Sequence, residues 1–141
     1  MLRRKKHLQN PIDFYNTCAL RMSWAFNNSG ITIPLLPTTY QGSNSKNYIL
    51  SAVAMKQFIK KTFGAYTDSI PGSAGGVKGE NFPALLAGKK GIYVMIPNDP
   101  GPYGFHASGH VDIIENGRCD GGCYFGGFPG GVKYILFWEL Q

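Results

Sequence analysis

At 141 residues, with 43% apolar residues and a formal net charge of +6, the chain is long enough for one packed core and too apolar to stay disordered. No apolar run approaches the roughly 20 residues of a membrane span, so stable membrane association is not expected. The basic balance suits a polyanionic partner. Nucleic acid is set aside, because the charge falls in two short clusters, residues 3–6 and Lys60-Lys61, with no basic helical stripe and no reading motif; the carboxylates of a cell wall remain.

One domain is expected over residues 1–141. The polar residues 1–10 are expected to be mobile at its end. The opening charges resemble the first region of a signal peptide. His7-Leu-Gln-Asn follows where an apolar stretch belongs, so no ordinary secretory leader is expected.

The spacing predicts a first helix over 17–27, with Cys18, Ala19, Met22, Ala25 and Phe26 on one face, Asn16 or Thr17 as cap and Gly30 as stop. Residues 31–42 hold two prolines and read as extended loop. A second helix is predicted over 47–63, with Ile49, Leu50, Val53, Phe58 and Ile59 inward and Gly64 ending it. Residues 67–80 read as a Gly/Ser-rich surface loop, and 83–88 as a helical turn opened by Pro83. Strands follow at 91–96, at 109–114 before the turn pair Asn116-Gly117, and at 132–138, the last too apolar for an exposed edge. Residues 98–104 and 121–131 are loops. The aromatics Trp24, Tyr134, Phe137 and Trp138 are assigned to the core. Helices first and then an antiparallel sheet make an α+β domain.

Three cysteines fall as one near pair, Cys119 and Cys123, and one odd thiol, Cys18. A thiolate is the nucleophilic form of cysteine. The dipoles of a helix N-terminus and a nearby imidazolium both favour it. Cys18 opens a helix and His110 opens a strand, which is the minimal kit of a cysteine hydrolase. Taken singly, Cys18 also fits a small buried hydrophobe and His110 a satisfied strand histidine. A base needs an acid to fix its tautomer, and two aspartates are candidates. Asp112 lies two residues on, on the same strand face. Asp120 lies beyond the turn, where a hairpin returns it. Cys119 and Cys123 bracket Asp120-Gly-Gly. A disulfide there would gain only about 2 kcal/mol from loop closure, but it would hold Asp120. Two alternatives stay open for the pair: a zinc site of His106, His110, Cys119 and Cys123, and an inert dithiol. Tyr103, Phe105 and His106 are candidate linings of a substrate groove. The glycine-rich runs lack the lysine and the following helix of a phosphate loop, and no cofactor is called for.

Asn16-Thr-Cys18-Ala-Leu-Arg21-Met-Ser23, Gly88-Lys-Lys-Gly-Ile92, Ser108-Gly-His110-Val and Cys119-x3-Cys123 occur in that order. Together they resemble the type VI secretion amidase effectors of family four, peptidoglycan hydrolases with a papain-like fold of the NlpC kind. The resemblance runs from about residue 14 to the last aromatic strand. It implies Cys18 as nucleophile and His110 as base. It also implies an oxyanion site at the Cys18 backbone, helped by Asn16, and a Cys119–Cys123 disulfide. The family's acid falls two residues after the first paired cysteine, where this chain has Gly121. Asp120, one place earlier, is the expected acid and Asp112 the alternative. The implied reaction is hydrolysis between the γ-carboxyl of D-glutamate and meso-diaminopimelate in the wall stem peptide. Implied partners are the type VI secretion machinery and a cognate immunity protein, with loops 67–80 and 98–106 as contacts. The protein would be made in the cytoplasm and act in a target cell's periplasm. The competing readings are a wall-binding module whose catalytic site has decayed, a transferase of the same chemistry, and the zinc-binding domain.

Overall fold

The computed structural model describes residues 17–140, so the expected cap and oxyanion role of Asn16 and the expectation for residues 1–10 lie outside the described residues. Helix α1 spans Thr17–Asn28 and ends before Gly30, whose φ of 82° is the left-handed value of a helix stop. Its buried stripe is Cys18, Ala19, Met22, Ser23, Phe26 and Asn27, a repeat of three and four residues. Trp24 falls off that stripe. It is 61% exposed rather than a core residue.

Two short strands follow, β1 (Thr39–Gln41) and β2 (Asn47–Ile49), paired antiparallel. Helix α2 therefore spans Ala52–Phe63 and starts five residues later than expected. The reason is local. Ser51 has extended backbone, and its Oγ accepts from the Ala54 N–H at 3.0 Å, capping the helix. Tyr48 and Ile49 are used by β2 instead. Ala52, Met55, Phe58 and Ile59 form the buried face, and Gly64 ends the helix as expected.

The segment read as a surface loop at 67–80 holds strand β3 (Asp68–Pro71) and a 3-10 turn at Gly72–Gly75. Pro71 is tolerated because β3 lies at the sheet edge. Helix α3 is the turn Phe82–Leu85 with proline near its start. Strands β4 (Lys90–Pro97), β5 (His110–Glu115), β6 (Arg118–Cys119) and β7 (Val132–Glu139) complete an antiparallel sheet of order β3-β7-β4-β5-β6. The apolar β7 is flanked on both sides. Asn116 and Gly117 both have positive φ, the mark of a type I′ hairpin turn between β5 and β6.

Strand alternation sorts the core into two layers. Ile92, Val94, Val111, Leu136 and Trp138 pack with α1 and α2. Tyr93, Met95, Ile114, Ile135 and Phe137 form the other layer with Phe82, Leu86 and Phe125. Two serines of the motifs fasten α1 and α2. The buried Ser23 hydroxyl accepts from the Ile49 N–H at 2.8 Å and donates to the Ala19 carbonyl at 2.8 Å, so it pins α1 to β2. Ser108 Oγ accepts from the Val53 N–H at 3.3 Å, one of the donors that the first turn of α2 cannot satisfy itself. Gly109 is backed directly onto the Met95 carbonyl, so a side chain there would force β5 away from β4.

Candidate active site

Cys18 is the second residue of α1, and α1 packs against β5. As a first-turn residue it has a backbone N–H with no carbonyl partner within the helix. Cys18 is the free cysteine and is buried. His110, the first residue of β5, lines a cavity with it, near enough for the thiol to act on the charge of its ring. The imidazole is only 6% exposed. It is boxed by Tyr124, with ring centroids 4.6 Å apart, and by Tyr93 at 5.8 Å. Sequence reasoning missed both tyrosines; the adjacency of Tyr124 to Cys123 was the available signal.

His110 Nε2 lies 3.1 Å from the Gly122 carbonyl and 3.5 Å from Asp112 Oδ2. A carbonyl only accepts, so Nε2 carries a proton and Nδ1 is the ring nitrogen left for the thiol. Burial works against the charged imidazole. The Asp112 and Cys18 hydrogen bonds and charges outweigh it and push His110 up to about 9. At neutral pH the ring is therefore an imidazolium. The Tyr93 phenol beneath is raised out of the titrating range by its burial.

The two candidate acids have different surroundings. Asp112 is buried at 7% exposure, and its carboxylate accepts from the Ile113 N–H at 2.8 Å and the Gly121 N–H at 2.6 Å, beside His110. Asp120 is exposed. Its backbone N–H pairs with the Ile113 carbonyl and extends the β5–β6 hairpin, and its carboxylate is not among the groups that act on His110. The hairpin returns Asp120 to the rim of a small hollow that His110 and Asp112 also line, with Asp112 the carboxylate beside the ring. The loop brings back the backbone of Gly121 and Gly122 as well, one donor for Asp112 and one acceptor for His110. Gly121 has a steric reason as well: a Cβ there would lie 3.1 Å from Asp112 Oδ2 and 2.7 Å from Arg21 Nη1.

Cys119 and Cys123 are joined as a disulfide that closes this loop. Neither sulfur is then a thiolate, so the zinc set of His106, His110, Cys119 and Cys123 is not assembled. Among the described residues no cluster of three or more metal-ligating side chains occurs.

Cys18 and His110 open into a cavity of about 510 Å³, which Arg21, Phe105, His106, Gly121, Tyr124 and Phe128 also line. Of the three expected groove residues, Phe105 and His106 are therefore present. Tyr103 is 89% exposed and does not line it. A thiol beside a histidine, at the first turn of a helix, can attack a carbonyl and hold the resulting oxyanion at the helix N–H.

No curated protein sequence matches the chain. Several solved structures are similar to it, and the three described next each cover 89% of this chain. The effector–immunity complex Tae4–Tai4 from Enterobacter cloacae is 29% identical over 75% of that chain, with a TM-score of 0.72. The type VI effector Tae4 from Enterobacter cloacae is 28% identical over 73% of its length, with a TM-score of 0.71. The Tae4–Tai4 complex from Salmonella Typhimurium is 26% identical over 74%, with a TM-score of 0.72. These likenesses carry the papain-like α+β fold. The family model for type VI secretion system amidase effector protein 4 matches residues 14–138. The chain belongs to that family, the type VI secretion amidase effectors, which are cysteine-type peptidoglycan amidases.

Proposed function

We propose that this amidase hydrolyses the bond between the γ-carboxyl of D-glutamate and meso-diaminopimelate in a rival cell's periplasm, with Cys18 as nucleophile, His110 as acid–base and Asp112 as the orienting acid. The observation that carries the reading is that Cys18 and His110 line one cavity, with the far ring nitrogen of His110 tied to Gly122 and Asp112. The Cys18 thiolate attacks the γ-carbonyl carbon. The oxyanion forms at the first-turn N–H of Cys18, where helix dipoles favour negative charge. The C–N bond breaks as the leaving amine takes the proton from His110 Nδ1. The thioester then holds the glutamyl group. His110, now neutral, removes a proton from water, and the hydroxide releases glutamate with its γ-carboxylate and restores the thiolate. Asp112 keeps the ring oriented through both halves and favours its charged form whenever it holds the second proton.

An oxidising compartment suits the Cys119–Cys123 disulfide, which supports action in the periplasm. An immunity protein is the expected partner, since the similar effectors from Enterobacter cloacae and Salmonella Typhimurium were solved with theirs. Val77 is 95% exposed and Tyr103 89% exposed, one in each loop expected to meet that partner.

The test is mass spectrometry of muropeptides digested by wild type, Cys18→Ala, Asp112→Ala and Asp120→Ala. Wild type and Asp120→Ala should split the D-glutamate–diaminopimelate bond, while the other two leave it intact. Cleavage of another bond by the wild type overturns the specificity. Full activity of Cys18→Ala overturns the mechanism.

A further inference from the structure

Arg21 remains without a role in the chemistry above. It follows Cys18 by three residues on α1, so both side chains leave the same face of the helix, about 4.5 Å apart along its axis. Both line the 510 Å³ cavity together with His110. Arg21 is exposed, and its guanidinium rests at one wall of the cavity. It lies against the bare Cα of Gly121, where a Cβ would come within 2.7 Å of Nη1 and push it out. Among the described residues Arg21 forms no ion pair. Two carboxylates are near. Asp112 already accepts from two backbone N–H groups and lies beside His110. Asp120 is exposed on the rim of a smaller hollow behind Arg21. A fork of cationic donors therefore lines the cavity next to the nucleophile, and among the described residues no carboxylate forms an ion pair with it.

We propose that Arg21 is the specificity-determining residue for the acyl side of the bond, binding the free α-carboxylate of the γ-linked glutamate while Cys18 attacks its γ-carbonyl. The proposal rests on the reading of the bond given above. In a γ-linked glutamyl group three carbons separate the scissile carbonyl from the free carboxylate, a span of about 5 Å. A carboxylate at that reach from the attacked carbonyl stays within the cavity that Arg21 and Cys18 both line. Guanidinium and carboxylate pair through two parallel hydrogen bonds, which fixes the orientation of the acyl chain as well as its charge. A stem peptide with D-isoglutamine, where the α-carboxylate is an amide, keeps the scissile bond and loses this partner. The pair then leaves a cation facing an amide donor, the kind of mismatch that discriminates strongly.

The experiment compares kcat/KM for matched stem peptides with D-glutamate and with D-isoglutamine. Wild type should favour D-glutamate by about 10²-fold. Arg21→Gln should lose most of its rate on D-glutamate, keep its rate on D-isoglutamine within about threefold, and so bring the ratio close to one. Arg21→Lys, which retains charge without the fork, should fall between them. A wild type that treats the two substrates alike overturns the proposal without any variant. So does an Arg21→Gln protein that retains the preference, or one that loses both rates equally while its thermal midpoint is unchanged. Product mass spectra keep the two readings apart. Failure to cut at the glutamyl–diaminopimelate bond refutes the reaction assigned above; cutting there with no carboxylate preference refutes only the role of Arg21.

Discussion

Replacing Asp112 by Asn tests the acid with little change of shape. The Asp112 carboxylate accepts from two backbone N–H groups, Ile113 at 2.8 Å and Gly121 at 2.6 Å, and lies 3.5 Å from His110 Nε2. An amide can accept at only one of its two ends, so its NH₂ must face a backbone N–H or the protonated Nε2. The variant therefore loses one charge-assisted bond and gains a donor–donor contact in a buried site, a cost of about 2–3 kcal/mol in stability. The second effect is on His110. The Asp112 hydrogen bond is the largest influence raising its pKa, so the ring should titrate well below its present value of about 9 and toward the ordinary 6.5. The loss of charge and tautomer control should cost roughly 10²–10⁴ in kcat/KM, the range such substitutions give in hydrolytic triads. Stem-peptide hydrolysis, urea unfolding and an NMR titration of the His110 ring read the three effects. Asp120→Asn is the control and should change each only marginally, since that carboxylate is exposed. The reasoning fails if Asp112→Asn keeps kcat/KM within threefold of wild type, or if Asp120→Asn falls as far.

Stability should depend on pH through His110. Its pKa is raised on folding, so the folded state holds the proton more tightly than the unfolded state does. The contribution is complete below about pH 6.5 and disappears as pH rises through about 9, on the order of 3 kcal/mol in all. Urea melts at pH 6 and pH 9.5 should show that loss, and His110→Gln should flatten it. Ser23→Ala should destabilise by about 1–3 kcal/mol, because it orphans the buried Ile49 N–H; thermal melts would measure this, and an unchanged midpoint would remove Ser23 from that role. Opening the disulfide with the pair Cys119→Ser and Cys123→Ser should cost only about 2 kcal/mol of stability. It should cost more in activity, because the closed loop supplies both the Gly121 donor to Asp112 and the Gly122 acceptor to His110. Equal kcat/KM with and without reductant would contradict that link.

The parts of the fold legible in the sequence are those in which one force dominates. The stripe of α1 and the apolar run of β7 are both set by burial, and the turn at Asn116-Gly117 by positive φ. Strand β3 was not legible, because Asp-Ser-Ile-Pro has no alternation worth the name and becomes a strand only by pairing with β7. The start of α2 was misplaced because Tyr48 and Ile49 are apolar in either period; the decisive signal was the cap at Ser51. Trp24 shows the opposite error. Its size argues for burial, but its angle on α1 decides. In the site, Cys18 and His110 were legible because their positions at the ends of a helix and a strand carry chemical meaning. The support around them was not. Gly122 acts through its carbonyl, which has no signature in residue type, and Arg21 acts through a neighbour far along the chain.

The choice between Asp112 and Asp120 turns on a property of hairpins rather than on proximity in sequence. Asp120 and Gly121 are neighbours in sequence but differ in surroundings: Asp120 is exposed, while the Gly121 N–H binds the Asp112 carboxylate. On β5, the two-residue step from His110 to Asp112 keeps both side chains on one face, and the carboxylate ends 3.1 Å from where a Cβ on residue 121 would be. Two positions on opposite arms of the hairpin thus address the same point beside His110 Nε2. A side chain at one must vacate the other. Gly121 is the complement of Asp112: it removes the side chain, opens the space, and turns its own N–H to bind the carboxylate that fills it.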